Sequence, residues 1–129
     1  MKMTRLLPLA AVAGLICMAA PSSAAPLEVD TAGLQKLLKG GAKQVFLLDV
    51  RTPGEYAAGR IPGSVPIPMN QVERRLAEIP RDKKVVAICA SGARSAAVAR
   101  FLADNGYPWV ANYGGGVTEW ARRGLPLER

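Results

Sequence analysis

The sequence VVAICASGARS, residues 85–95, contains the pattern that decides the fold. It begins with the apolar run of residues 85–88, which is typical of a strand buried on both faces of a sheet. Cys89 stands at the end of this strand, and small residues with Gly92 lead into a helical pattern that begins near Ser95. Strand, loop and helix in this order indicate an α/β domain with a largely parallel sheet.

Other segments of the chain repeat this alternation. Further strands are predicted at residues 27–29, 45–50 and 109–111. The segment IPGSVPIPM, residues 61–69, has so many prolines that it can form only an edge strand or an extended loop. The sequence therefore predicts one domain of strands and helices in alternation.

Capping residues mark the predicted helices. One helix begins at Asp30 or Thr31, and a short one begins at Thr52, where Glu55 completes a capping box. A third helix is predicted to begin at Asn70 and to end before Pro80. Two more helices are predicted at residues 95–105 and 117–123.

The first 24 residues differ from the rest of the chain. Lys2 and Arg5 precede an apolar stretch over residues 6–20, and small residues at Ser22 and Ala24 form the pattern of a signal peptidase site. We interpret residues 1–24 as a secretory signal and residues 25–129 as the mature, periplasmic domain. A membrane anchor is the alternative, but the apolar run is shorter than the roughly 20 residues of a spanning helix. Lipid attachment at Cys17 is disfavoured by the bulky Ile16 before it.

Charge and residue usage exclude several functions. Loss of Lys2 and Arg5 with the signal lowers the formal net charge from +7 to about +5, which favours small anions, acidic surfaces or lipid headgroups without selecting among them. No run of basic residues interleaved with aromatics indicates nucleic-acid binding. We expect a monomer that has no nucleic-acid partner and, after signal removal, no membrane partner.

Cys89 is the one cysteine of the expected mature domain, and the sequence has no histidine. These counts exclude the usual structural zinc sites and a Cys-His catalytic dyad. We therefore predict no metal site, and we also expect no cofactor. An unpaired thiol in an exported protein needs an explanation, and backbone, arginine or lysine groups must activate it.

The loop after Cys89 is suited to hold an anion. Its small residues and Gly92 allow successive backbone N–H groups to face one point, and the following helix N-terminus adds a positive partial charge. A thiol in this position is expected to have a lowered pKa, and Arg94 adds a planar fork of donors for an oxyanion. The alternative is a buried structural cysteine beside a surface arginine.

Three segments together resemble the rhodanese family. Residues 49–64, DVRTPGEYAAGRIPGS, are similar to the first family signature, D-V-R-x-x-x-E-[FYW]-x-x-G-H-I-x-G-[AS]. Residues 89–95, CASGARS, resemble the active-site loop C-x-x-G-x-R-S, and residues 115–126 resemble the closing motif G-G-x-x-x-W-x-x-x-G-x-P. Arg60 departs from the pattern, since many members have histidine there. We expect this change to affect packing or surface charge rather than chemistry.

The resemblance implies a fold and a reaction. The expected fold is a three-layer α/β/α arrangement around a five-stranded, mostly parallel sheet. In the implied reaction, the Cys89 thiolate takes the outer sulfur of thiosulfate or a similar anionic donor and passes it to cyanide, another thiophile or a sulfur-accepting protein. The loop residues are expected to bind the anion, with structural support from neighbouring side chains. These are Ala90, Ser91, Gly92, Ala93 and Arg94 for binding, and Asp49, Arg51 and Ser95 for support.

Two other functions remain as alternatives. A persulfide carrier without turnover would use the same residues. A cysteine phosphatase or arsenate reductase would also combine cysteine and arginine, but only four residues separate Cys89 from Arg94, where the common tyrosine phosphatase pattern has five. The shorter loop favours a sulfur atom over a tetrahedral phosphate.

Overall fold

The computed structural model describes Gly14 and residues 25–129. The predicted signal, residues 1–24, therefore lies outside the described residues apart from Gly14. No helix in the described part is both long enough and apolar enough to cross a membrane.

Five strands form one sheet in the order β1-β5-β4-β2-β3, and every pair of neighbours is parallel. The strands are β1 (Leu27–Val29), β2 (Val45–Asp49), β3 (Val65–Pro66), β4 (Lys84–Ile88) and β5 (Val110–Tyr113). The two long central strands, β2 and β4, carry the apolar runs of the sequence. Residues 65–66 form an edge strand, as the proline pattern predicts.

Helices cover both faces of this sheet, which confirms the three-layer α/β/α fold. They are α1 (Thr31–Gly41), α2 (Pro53–Ala58), α3 (Ala93–Asp104) and α4 (Gly116–Arg122). Side chains of β4 alternate between two apolar cores because successive residues of a strand point to opposite faces. Val85 and Ala87 pack with α3 on one face, whereas Val86 and Ile88 pack with α1 and α4 on the other.

Two predicted caps are confirmed by hydrogen bonds. The Asp30 carboxylate accepts a bond from the Gly33 amide at 2.7 Å and so begins α1. Thr52 and Glu55 form the reciprocal capping box at the start of α2. α3 begins at Ala93 rather than at Ser95, so Arg94 and Ser95 belong to its first turn.

The predicted helix beginning at Asn70 is wrong. Two 3₁₀ helices, Met69–Gln71 and Glu73–Glu78, occupy this region, and Arg75 breaks the helical backbone with φ −113° and ψ 21°. The Tyr107 hydroxyl lies 3.1 and 2.8 Å from the carbonyl oxygens of Leu76 and Ile79. This tertiary contact fixes the last carbonyls of the segment, and the local apolar spacing does not reveal it.

Candidate active site at the carboxyl end of the sheet

Cys89 directly follows β4, and its sulfur faces the loop of residues 89–95, which we call the sulfur loop. Sγ accepts hydrogen bonds from the Gly92 amide at 3.0 Å and from the Ser95 hydroxyl at 3.2 Å. The residue is only 1% exposed. The thiol is therefore enclosed by the loop and the first turn of α3, and it does not lie on an open surface.

These contacts change the pKa of the Cys89 thiol. Burial raises the pKa, whereas hydrogen bonds from the Ser95 hydroxyl and from the backbone N–H groups of Ser95, Ser91 and Gly92 lower it. The hydrogen bonds together outweigh burial, so the pKa lies below its ordinary value. A larger fraction of the thiol is consequently present as the nucleophilic thiolate near neutral pH.

Two glycines allow this loop to close. Gly92 has φ +93°, and a Cβ there would collide with the backbone of Gly114. Gly116 has φ +65°, and a Cβ there would collide with the Ala90 carbonyl. The glycines of the first turn of α4 and of the sulfur loop are therefore needed for the close approach of the two segments.

The outer side of the sulfur loop is held by other parts of the fold. Two amides at the start of α4 donate to backbone carbonyls of the loop. The Val117 N–H donates to the Cys89 carbonyl at 2.9 Å, and the Thr118 N–H donates to the Ala90 carbonyl at 3.0 Å. The buried Asn112 side chain lies 3.3 Å from the Gly92 carbonyl. Because C=O and N–H point in opposite directions in a trans peptide, carbonyls held outward leave the Ala90 and Ser91 amides directed inward.

Arg94 faces a carboxylate that the sequence analysis did not assign to the site. Its terminal nitrogens donate to the two oxygens of Glu55 at 2.7 and 2.9 Å. Hydrogen bonds from Arg94 dominate the lowering of the Glu55 pKa to about 2, with burial opposing and Thr52 assisting. In the sequence, Glu55 is a capping residue and the glutamate of the first family signature, but neither pattern links it to Arg94. In the fold, the Glu55 carboxylate both caps α2 and accepts hydrogen bonds from Arg94.

Asp49 and Arg51 lie beside the sulfur loop without contacting the thiol. The Asp49 carboxylate binds Arg51 through contacts of 2.8 to 3.0 Å, and both side chains are buried. Arg51 also donates to the carbonyls of Glu55 and Gly59 at 3.2 and 2.8 Å. This pair therefore joins the end of β2 to α2, which in turn carries the partner of Arg94.

Three further motif residues make packing contacts. The Trp120 indole is buried and donates to the Pro126 carbonyl at 2.8 Å, and the Tyr56 hydroxyl donates to the Ser64 carbonyl at 2.7 Å. The Arg60 guanidinium lies 4.9 Å from the centre of the Tyr56 ring and 3.8 Å from the Glu128 carboxylate. Arg60 thus contacts the end of the chain, away from the sulfur.

The arrangement is suited to thiol chemistry on a small anionic group. Sulfur, backbone amides and a helix N-terminus converge at one point, with a guanidinium held nearby. Within residues 25–129, no group of three or more ligating side chains could hold a metal ion. The fold and the site define a parallel α/β protein with a cysteine thiol of lowered pKa at the carboxyl end of its central strand.

The chain belongs to the family of rhodanese-like domains, whose family model matches residues 30–123. A sulfurtransferase of Allochromatium vinosum is 43% identical over 100 residues, covering 78% of this chain and 92% of the relative. The human single-domain sulfurtransferase TSTD1 has a similar structure, with a TM-score of 0.67 and 30% identity, covering 74% of this chain and 96% of that one. A Rhodopseudomonas palustris protein described as a possible tyrosine phosphatase is 33% identical and has a TM-score of 0.71. The match covers 80% of this chain and 85% of that chain.

Proposed function

We propose that the protein is a sulfurtransferase that moves sulfane sulfur from thiosulfate, or a similar anionic donor, through a Cys89 persulfide to cyanide or another thiophilic acceptor. The observation that carries this proposal is the orientation of Sγ toward the Gly92 amide and the Ser95 hydroxyl. A cysteine that only filled the core would not need these polar contacts. The sulfurtransferases among the relatives support the same conclusion.

In the first step, the Cys89 thiolate attacks the outer sulfur of thiosulfate. A bond forms between Sγ and that sulfur, the sulfur–sulfur bond of the donor breaks, and sulfite leaves with the bonding electrons. The product is a persulfide that carries one negative charge on its outer sulfur. Inward-facing amides of the sulfur loop can stabilise this charge in place, as donors do in an oxyanion site.

In the second step, a thiophile such as cyanide attacks the outer sulfur of the persulfide. The bond between this sulfur and Sγ breaks, thiocyanate leaves, and Cys89 returns to the thiolate. No proton, electron or cofactor is needed from outside. The hydrogen bonds from Ser95 and Gly92 that favour the thiolate also make Cys89 a better leaving group in this step.

Arg94 is suited to bind the sulfonate end of the donor, although Glu55 already engages its terminal nitrogens. Donor binding therefore requires Arg94 to share its remaining N–H groups or to exchange Glu55 for the donor. Both side chains are about one-third exposed, which leaves the pair accessible to a small anion. We assign Arg94 to donor binding and Asp49 and Arg51 to structural support of this corner.

The proposed location is the periplasm, after cleavage near Ala24. A basic start, the apolar residues 6–20 and the small residues before residue 25 support this location. The proposed working form is a monomer with soluble donors and acceptors.

Intact mass spectrometry tests the proposal directly. The purified protein is measured before and after addition of thiosulfate, and we expect one added sulfur atom that cyanide then removes as thiocyanate. Cys89→Ser is the matched control and should gain no sulfur. A wild-type protein that gains no sulfur from any sulfane donor would contradict the mechanism. The mass before addition also locates the cleavage point.

Kinetics separate the enzyme from a carrier, a role suggested by a relative named as a putative sulfur carrier protein from Bacillus subtilis. An enzyme turns over many equivalents of thiosulfate and cyanide, whereas a carrier passes one sulfur to a partner and reacts poorly with cyanide. Hydrolysis of a generic aryl phosphate, without sulfur transfer, would favour a phosphatase instead.

A further inference from the structure

The end of the sheet opposite Cys89 carries a groove of about 750 Å³ that the proposed reaction does not use. Its lining includes Lys36, Leu37, Arg81, Lys83, Lys84 and Trp109, and we call it the basic groove. It lies where β2 and β4 begin, because Val45 and Lys84 are the first residues of these strands. The sulfur loop lies where β4 ends.

Positive charge dominates the lining of the basic groove. Four cationic side chains line it, and Asp82 is the single acidic one. Lys36 and Lys83 are exposed, and neither forms an ion pair within residues 25–129. Unpaired charges of one sign around a concave surface attract an anionic partner over a distance of about one Debye length, roughly 8 to 10 Å at physiological salt.

The groove also contains an aromatic ring in contact with a cation. Lys84 Nζ lies 5.4 Å from the centre of the half-buried Trp109 ring, and Pro108 beside it is exposed. An indole with one apolar side and one polar edge is well suited to the headgroup layer of a membrane. Lysines next to such a ring match the chemistry of anionic lipid headgroups.

The course of the chain favours a membrane over other anionic partners. β1 is parallel to β5 and pairs Leu27 with Ala111, so the chain enters β1 at the end of the sheet where the basic groove lies. The apolar residues 6–20 precede this point by only a few residues. Before signal cleavage, the chain therefore enters the domain at the end of the sheet that carries the basic groove.

We propose that the basic groove docks the domain on a membrane surface rich in anionic headgroups. The sequence predicts no membrane partner after signal removal, whereas this surface supports a peripheral contact that can persist after cleavage. Docking in this orientation directs the sulfur loop away from the bilayer, so soluble donors and acceptors retain access to Cys89. The proposal does not depend on the identity of the sulfur donor.

Vesicle co-sedimentation tests this proposal with the purified full chain. Binding is compared between vesicles of phosphatidylcholine alone and vesicles that also contain phosphatidylglycerol, at low and high salt. The ratio of the two affinities isolates the charge effect, because apolar contacts with the lipid contribute to both. We expect a preference for phosphatidylglycerol that high salt reduces.

The decisive variant is Lys36→Glu/Lys83→Glu, and Arg74→Glu/Arg100→Glu is its matched control. The control reverses the same number of exposed cations outside the basic groove. One lysine near an anionic surface contributes about fivefold in affinity. In the groove variant, the ratio of the affinities for anionic and neutral vesicles should therefore fall by more than about tenfold, whereas the control should keep most of this ratio. Unchanged sulfur transfer in both variants verifies the fold.

Three results would overturn the proposal. They are no preference for anionic vesicles in the wild type, an equal loss in both double variants, and binding to an acidic polypeptide such as polyglutamate with no binding to vesicles. Because sulfur transfer is measured on the same samples, failure of the proposed reaction remains distinguishable from failure of membrane docking.

Discussion

The two ends of the sheet differ in how their charges are paired. At the carboxyl end, the charged groups next to the sulfur loop have partners, Arg51 with Asp49 and Arg94 with Glu55. At the amino end, Lys36 and Lys83 stand without ion pairs in the described part of the chain. Paired charges fix side chains for chemistry at one point, whereas unpaired charges act at longer range on a large partner.

The largest expected effect is the loss of sulfur transfer in Cys89→Ser. The serine hydroxyl is not ionised near neutral pH and forms no persulfide, so activity should fall by more than about 1,000-fold. Thiocyanate production measures the activity, and circular dichroism checks the fold. Lys36→Glu at the other end should leave the rate unchanged. Substantial activity in Cys89→Ser would refute the assignment of the nucleophile.

Glycine substitutions at the two ends should have opposite effects on stability. Gly116→Ala places a methyl group against the Ala90 carbonyl at φ +65°, and we expect it to lower the free energy of unfolding by about 2–4 kcal/mol. Gly40→Ala lies near the end of α1 with open space around it and should raise this free energy by about 0.5–1 kcal/mol. Urea unfolding measures both values. Equal effects would mean that the contact between α4 and the sulfur loop is not tight.

Arg94→Ala should weaken donor use more than acceptor use. Loss of charge-assisted hydrogen bonds to a sulfonate should raise the KM for thiosulfate by about 10- to 100-fold. The rate of the cyanide step, measured by rapid mixing with preformed persulfide, should change much less. A KM that stays constant would remove Arg94 from the donor site.

Ser95→Ala should raise the pKa of the Cys89 thiol. The variant loses the side-chain hydrogen bond that is the strongest of the interactions lowering this pKa. The pH dependence of alkylation by iodoacetamide reports the thiolate fraction, and the profile should shift toward higher pH. Ala93→Ser is a suitable control, since residue 93 is exposed in the same turn. A profile that does not move would show that the backbone amides alone set the pKa.

The smallest expected effect is the acid sensitivity conferred by Glu55. Its pKa falls from the ordinary 4.5 to about 2 in the fold, so it stabilises the protein above pH 4.5 and loses this contribution as the pH falls through about 2. Glu55→Gln should flatten the pH dependence of the unfolding free energy over this range. Because the pair is about one-third exposed, the change should be modest. An unchanged slope would show that Arg94 does not stabilise the carboxylate.

Much of the fold could be predicted because the sequence pattern is local. The apolar runs of β2 and β4, the prolines in and around β3 and the capping box at Thr52 each depend on neighbouring residues. The helix expected at Asn70 was wrong because the backbone leaves the helical conformation at Arg75, and Tyr107, distant in sequence, bonds the last carbonyls of that segment. Placement of the signal and cleavage near Ala24 remain predictions, as do the roles of the site residues.

The sequence by itself determined the class of fold, the position of Cys89 at a strand end and the small residues that let the sulfur loop curl, since these follow from chain-local geometry. Only the tertiary structure decided that Glu55 binds Arg94 and that amides of the first turn of α4 bond the carbonyls of the sulfur loop. It also decided that the lysines around Trp109 lie together at the opposite end of the sheet. The reason is physical: parallel strands bring together the ends of segments that are far apart along the chain, and no local pattern records which side chains meet there.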